Sequence, residues 1–336
     1  MKKILYFGSM GLKRNRLDGV TMKSRCLYWY LKKQKIDLYG IDVDNYKKNF
    51  LSIIFNFLKY YFKCDKIIIS ASPKGSYYLL KTLYILKCKK DIYYFVAGGS
   101  LANYVKLGEY NLSVYHKIKK MYVQSKKMQK DLINLGLKNV EFLSNFRKVE
   151  KWENKYKKEP FIKFVFYGRV IKEKGVEQAI NLINKLNHNG IFCKLDIYGQ
   201  VAEEYLKELE KKFNKNVKYK GFIIPDGKVE YEILSKYDLM LFPTEWEGEG
   251  LPGSLIDSYF AGLGIVASNW EYAHEFIENN VNGIIFDYKD YEDMYNKTYY
   301  LIMNNKIDSF KKESVKLSKQ YHIENVLKKF INEILK

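Results

Sequence analysis

The chain is short of the residues that staple, bend or metallate a protein. Its 336 residues include four cysteines, five prolines and four histidines. Cys26, Cys64, Cys88 and Cys193 are scattered, with no CxxC pair and no Cys/His spacing, so neither a disulfide framework nor a zinc site is supported and a reducing compartment is expected. His116, His188, His274 and His322 accompany no Ser or Cys in a nucleophile motif, which argues against a Ser-His-Asp hydrolase. Long apolar runs are missing too. The nearest, Phe50 to Leu58, falls far below the roughly 18 residues of a membrane span. The N-terminus carries two lysines and a short apolar run that charge from Lys13 onward cuts off before signal-peptide length, so it reads as a first strand. A cytoplasmic protein, peripheral on the inner face of the cell membrane, is expected. No GxGxxG follows that strand, which disfavours a nicotinamide dinucleotide site.

Acidic residues are scarce in one half only. The net charge is +20, and residues 1–150 hold 30 basic and 10 acidic side chains while the rest holds 28 of each. An excess confined to one half points to a partner surface rather than to general solubility. Nucleic acid, anionic lipid and a pyrophosphate-bearing substrate all qualify by charge. No nucleic-acid-binding motif interleaves the basic residues, so nucleic acid is not expected.

Short β-rich runs alternate with helical patterns throughout. Strands are expected at Lys3–Phe7, Asp37–Ile41, Lys66–Ser70, Tyr93–Ala97 and Met121–Gln124, then at Phe161–Tyr167, Lys194–Ile197, Val217–Tyr219, Leu239–Phe242, Gly264–Ala267 and Gly283–Phe286. Parallel strands with crossover helices follow, the doubly wound α/β class, twice over. With prolines so few, the boundary is sought in the charged, aperiodic stretch Asn145 to Pro160. This gives a basic N-terminal Rossmann-like domain over 1–150, a second such domain over 151–315 and a C-terminal helix over 316–336 that packs back.

The second domain carries the richest stretch, Leu241 to Ser268. After a buried strand come Glu245, Glu247 and Glu249 among glycines, then Pro252, Gly253 and Ser254 as the opening of a helix that bears Asp257 eight residues after Glu249. A helix N-terminus with its free N–H groups, flanked by two carboxylates, suits a phosphorylated, hydroxyl-rich ligand. Arg169 and Lys174 follow the strand ending at Tyr167 and can neutralise a departing diphosphate; they can equally be solvated surface charges. In the first domain the loop Gly8 to Gly19 precedes a helix, Val20 to Leu31, and Gly19 would let the backbone approach a phosphate. The pair Asp42 and Asp44 reads as a loop, too few ligands for a metal. Tyr46 to Lys63 is apolar in its middle and basic at both ends. An interfacial helix on anionic lipid is one reading, but apolarity on nearly all sides favours a helix buried against the sheet.

Together these motifs resemble glycosyltransferase family 4, retaining enzymes with the GT-B architecture of two facing Rossmann-like domains. The family's GR followed by KG is matched by Gly168-Arg169 and Lys174-Gly175, and its EGFPxxxxEAxAxG by EGLPGSLIDSYFAG, Glu249 to Gly262, without a gap. Here Leu251 replaces the phenylalanine, Asp257 the second glutamate, and Ser258 and Phe260 two alanines. The first domain matches more thinly, at Gly19, Gly98-Gly99 and the Ser144-Asn145-Phe146-Arg147 run. The resemblance implies that Arg169 and Lys174 hold the donor diphosphate, Glu249 faces the donor sugar's hydroxyls and Asp257 binds the ribose. It implies a donor site completed by Gly19, Gly168, Gly199, Gly250, Leu251, Pro252 and Gly253, with Phe222-Ile223 at the base. Many relatives present a first-domain histidine to the sugar; the matching Phe95 to Val105 has none, so Gly98, Gly99 or Ser100 would serve there. The expected protein is a glycosyltransferase of surface-polysaccharide biosynthesis, moving a sugar from a nucleotide sugar, UDP-linked rather than GDP-linked, to a glycan acceptor on a lipid carrier. It would need no metal or other cofactor, since two cations and a helix start meet the leaving group. The rival readings are a basic membrane- or nucleic-acid-binding adaptor and a GT-B sugar-nucleotide epimerase.

Overall fold

A computed structural model of the chain describes residues 3–12, 16–34 and 36–335. Residues 13–15 of the first loop, including the Lys13 that ends the first apolar run, lie outside the described residues. The chain forms two compact units, one of Met1–Asn145 with Val326–Lys336 and the other of Phe146–Asn325.

Among the described residues the first unit has a six-stranded parallel sheet: β1 (Lys3–Gly8), β2 (Asp37–Asp42), β3 (Lys66–Ser70), β4 (Asp91–Phe95), β5 (Lys120–Val123) and β6 (Val140–Phe142), in the order β2-β1-β3-β4-β5-β6. The order reverses at β1, the switch point at which ligands of doubly wound sheets bind. Central β3, KIIIS, is buried along its length. Such a run of β-branched residues suits a strand covered on both faces, and each isoleucine fully buried contributes about 1.5–3 kcal/mol. The sixth strand is not legible in the sequence, being three residues at the sheet edge with one buried side chain.

The last helix, Ile323–Leu335, completes this unit with its residues from Val326 onward. Val326, Leu327, Phe330, Ile331 and Ile334 fall on one face at helical spacing. The Phe330 ring packs edge-on against Phe95 at 4.8 Å and Tyr122 at 5.3 Å. Lys66, mostly buried, donates to the Ile334 carbonyl at 2.8 Å, a cation at a helix C-terminus. Lys120 is paired with Glu333 at 2.6 Å.

The helix Tyr46–Tyr61 departs from the expectation of burial. None of its residues is buried. It lies along β2, an edge strand, and only a narrow stripe of Asn49, Ile53, Asn56, Phe57, Tyr60 and Tyr61 is even partly covered. Apolarity on every side did not mean burial here, because an edge strand offers a helix only one flank.

The second unit repeats the architecture with β7 (Ile162–Tyr167), β8 (Cys193–Tyr198), β9 (Val217–Tyr219), β10 (Leu239–Phe242), β11 (Gly264–Ser268) and β12 (Gly283–Phe286), in the order β12-β11-β10-β7-β8-β9. Its switch point lies between β7 and β10, which pair directly. The helix Val176–His188 turns Ala179, Ile180, Ile183 and Leu186 onto the sheet, an apolar stripe at i, i+1, i+4 and i+7. The loops that follow β7 and β10 are thereby held side by side.

Candidate active site

The site in the second unit is built on those two loops. After β7 the chain passes Gly168 and Arg169 into a 3-10 turn, Lys172–Lys174, and then Gly175, whose φ of +72° suits glycine. A Cβ at Gly175 would stand 2.0 Å from the carbonyl oxygen of Pro243, so the turn sits directly on the segment following β10. The Glu245 N–H donates to the Glu173 carbonyl at 2.8 Å and ties the two loops together.

This contact brings Lys174 and Glu249 together. Their side chains form an ion pair, each about nine-tenths buried, and the Thr244 hydroxyl donates to the same carboxylate oxygen at 3.2 Å. Thr244 is fully buried; its carbonyl accepts from Ser268 Oγ at 2.6 Å, and its hydroxyl accepts the Trp246 N–H at 3.2 Å. The Phe242 ring lies 5.5 Å from the Lys174 ammonium. Arg169 is exposed and lies over the Trp246 ring at 5.2 Å, which keeps its guanidinium beside the same loop.

The three loop glutamates part company. Glu247 is exposed, Glu245 is held by the Tyr291 hydroxyl, and Glu249 alone of them turns to Lys174. Beyond Glu249 the buried Leu251 and Pro252 lead into the helix Gly253–Ala261, which no side chain caps. The indole N–H of Trp270 donates to the Gly250 carbonyl at 3.2 Å and fixes that approach. Gly168 adjoins this helix start, since a Cβ there would lie 4.0 Å from Ser254 Oγ. Gly199, at the end of β8, abuts Gly168 and donates its N–H to the Gly221 carbonyl at 2.9 Å. Of the pair after Gly221, Phe222 is exposed and Ile223 buried.

Asp257 has a partner that spacing did not reveal. Arg147 grips it in a bidentate pair, Nε to Oδ1 at 2.7 Å and Nη2 to Oδ2 at 3.2 Å, with the Tyr231 hydroxyl donating to Oδ1 at 3.4 Å. Burial alone would weaken the guanidinium's hold on its proton, but Asp257 outweighs it and raises Arg147 further above its already high range. The arginine is pinned by its backbone: its N–H donates to the Tyr321 carbonyl and its carbonyl accepts from the Ile323 N–H, both at 2.9 Å. Gly253 makes room for it, since a Cβ there would stand 1.7 Å from Nη2. Nearby, burial and then the charge of Asp257 push the Glu230 carboxyl up to about 7, although its oxygens accept the N–H groups of Asp226 and Gly227 at 2.9–3.1 Å. Neither role was legible beforehand. Arg147 stands 110 residues before its acid, and Glu230 sits in a helix without a motif.

In the first unit Gly19 opens the helix Gly19–Lys33, and the Asp18 carboxylate already accepts the N–H groups of Val20 and Thr21. Asp42 organises the loop after β1 by accepting from the N–H groups of Met10, Gly11 and Leu12 at 2.8–3.2 Å. Gly98 and Gly99 follow β4, and Ser100 starts the helix Leu101–Lys106. Beneath this loop Lys23, buried and with its pKa lowered to about 7 by burial, donates to the Val96 carbonyl at 3.1 Å. No sequence pattern marks that lysine.

Two doubly wound parallel sheets in tandem, with loops of this kind after their strands, define an α/β protein of the GT-B class. Residues 147–320 match the family described as glycosyl transferases group 1, and the chain belongs to that family. It is 24% identical over 234 residues to the poly(ribitol-phosphate) alpha-N-acetylglucosaminyltransferase of Staphylococcus aureus (strain COL), covering 68% of this chain and 46% of that protein. An uncharacterized glycosyltransferase of Methanocaldococcus jannaschii is 27% identical over 298 residues, covering 83% and 71% respectively. Among solved structures, Anabaena HepE in complex with UDP-glucose superposes with a TM-score of 0.73 at 13% identity over the whole of both chains. S. aureus TarM in complex with fondaparinux, alpha-GlcNAc-glycerol and UDP gives 0.63 at 22% identity, covering 80% of this chain and 54% of that one. The chain thus spans about half the length of its staphylococcal relatives.

Proposed function

We propose that the protein is a retaining glycosyltransferase of family 4 that moves a sugar from a UDP-sugar to a lipid-linked glycan acceptor in surface-polysaccharide biosynthesis. The observation that carries this is the Lys174–Glu249 pair beside the uncapped start of the helix Gly253–Ala261. An ammonium has three donors, and one spent on Glu249 leaves two for phosphate oxygens. The helix N–H groups add a fixed positive end, and Arg169 supplies a second cation from its place over Trp246. In the reaction the bond from the sugar's C1 to the phosphate oxygen breaks and its electron pair leaves on the diphosphate. The acceptor hydroxyl bonds C1 on the same face and gives up its proton to the departing phosphate oxygen. The two cations and the helix start stabilise the charge that develops on that oxygen, with no metal assigned to the task. Glu249 accepts from the sugar's hydroxyls.

Asp257 is assigned to the ribose. A carboxylate offers about four lone-pair sites, and Arg147 and Tyr231 occupy three, so one remains for a hydroxyl. The bound UDP, UDP-glucose and glycan of the structural neighbours favour the same donor and acceptor class. The test is thermal stabilisation by nucleotide. UDP at a hundred times its Kd should stabilise the fold by about 2.7 kcal/mol, GDP by less, and Lys174→Ala and Arg169→Ala should lose most of that. A shift with neither nucleotide sinks the donor site and leaves the adaptor.

A further inference from the structure

We infer that the solvent face of the helix Tyr46–Tyr61 is a docking surface for an anionic phospholipid bilayer. The proposal goes beyond the transfer reaction and stands on this surface alone. A helix at a domain surface ordinarily turns its apolar stripe inward and its charges outward. This one keeps its lysines outward but is apolar on its open side as well. Its partly covered stripe holds Ile53, Phe57, Tyr60 and Tyr61 with Asn49 and Asn56, and Phe50, Leu51, Ile54, Phe55 and Leu58 form a continuous strip on the open side, with Leu51 81% exposed. Phe62, just past the helix end, is 80% exposed. Single exposed apolar residues need no explanation, but a contiguous strip does.

Charge selects the occupant. Lys47 and Lys48 precede the strip and Lys59 and Lys63 follow it, and no acidic residue occurs from Asn45 to Cys64. An apolar strip with ammonium groups at both ends matches acyl chains beneath phosphate headgroups, and long lysine stems let the charge rise while the carbon chain lies in the interface. The end of the next helix, Pro73–Ile85, and the residues after it extend the surface. Tyr61 donates to Cys88 Sγ at 3.3 Å, and Ile85 and Leu86, just before that cysteine, are exposed beside Lys87 and Lys89. A second copy of the chain would bring four lysines against four lysines, a like-charge contact that disfavours pairing through this face. Among the described residues no helix is long and apolar enough to cross a membrane, so any attachment through this element lies in the interface.

Co-sedimentation of the full chain with vesicles tests the proposal. Equimolar phosphatidylcholine and phosphatidylglycerol should bind the protein at about 0.1 M salt, where the Debye length is about 10 Å, and phosphatidylcholine alone should bind it at least about tenfold less. The triple variant Leu51→Gln, Phe55→Gln, Phe62→Gln removes only exposed side chains, so its melting temperature should be unchanged while vesicle binding falls at least about tenfold. The variant with Lys47, Lys48, Lys59 and Lys63 changed to Gln should lose the preference for anionic vesicles. Equal binding to both vesicle types, triple-variant binding like that of the parent, or a dimer in light scattering that the triple variant dissolves would each overturn the proposal. Failure of UDP to stabilise a parent protein that still sediments with anionic vesicles would sink the donor site and leave the docking surface intact.

Discussion

Breaking the Arg147–Asp257 pair should unfold the second unit more easily than removing the pair altogether. Asp257 has a side-chain exposure of 4% and Arg147 of 16%, so neither can turn to water when its partner is gone. Removing one member of a buried ion pair costs about 3–5 kcal/mol, because the other charge is left without compensation. Arg147→Met leaves the more deeply buried Asp257 with only the Tyr231 hydroxyl at 3.4 Å, which places it toward the upper end of that range. Asp257→Asn leaves a guanidinium that still donates to the Phe146 carbonyl at 3.1 Å and is less deeply buried, which places it near the lower end. The double variant buries no charge at this position and should lose less than Arg147→Met alone. The coupling between the two changes is then at least about 2 kcal/mol. Urea unfolding followed by tryptophan fluorescence reads this well, since Trp152, Trp246 and Trp270 belong to the second unit and Trp152 lies 5.9 Å from the Tyr231 ring. Single losses under about 1 kcal/mol, or losses that add within about 0.5 kcal/mol, would refute the reasoning.

Glu230 gives a prediction in pH. Its carboxyl is raised from 4.5 to about 7 in the fold, so the folded state holds a proton that the unfolded chain has released, and stability falls as pH rises from about 4.5 to 7 and stays lower above. The full effect is about 3 kcal/mol, at 1.36 kcal/mol per pH unit. Melting temperatures at pH 5 and pH 8 should therefore differ less in Glu230→Gln than in the parent, and an unchanged difference would show that Glu230 does not titrate there. Gly175→Ala must move either its turn or Pro243, given the 2.0 Å approach and a φ of +72°, so it should cost at least about 2 kcal/mol and most of the UDP stabilisation. Retained UDP stabilisation in that variant would mean that Lys174 keeps its place without the tight turn.

What the sequence made legible was what repeats or clusters locally. Continuous apolar strands such as Lys66–Ser70 and Leu239–Phe242 announced the two sheets. The Pro-Gly turn before Asp257 marked a helix that does begin at Gly253, and the eight-residue step singled out Glu249 from its neighbours. Long-range partners left no trace. Arg147 acts through a backbone pairing with Tyr321 and Ile323, a contact that only the folded chain creates. Lys23 looks like any surface lysine of a basic helix until the Val96 carbonyl is placed above it. The helix Tyr46–Tyr61 shows the opposite failure. Its composition was plain, but whether a sheet covers it depends on β2 being an edge, which is a property of strand order.

The return of the chain at Val326 has a consequence for how the protein is made. The first unit's aromatic cluster of Phe95, Tyr122 and Phe330 joins residues more than 200 positions apart, and Lys120 finds Glu333 across a comparable gap. A ribosome delivers β1 to β6 early, yet the helix that covers them emerges only after the whole second unit has been synthesised. Until that helix arrives the nascent first unit waits with an apolar flank open, its many lysines discouraging self-association. A fragment that stops at Asn145 would keep that flank open permanently, so the first unit is best produced together with the segment from Val326 onward, as a separate peptide or by circular permutation.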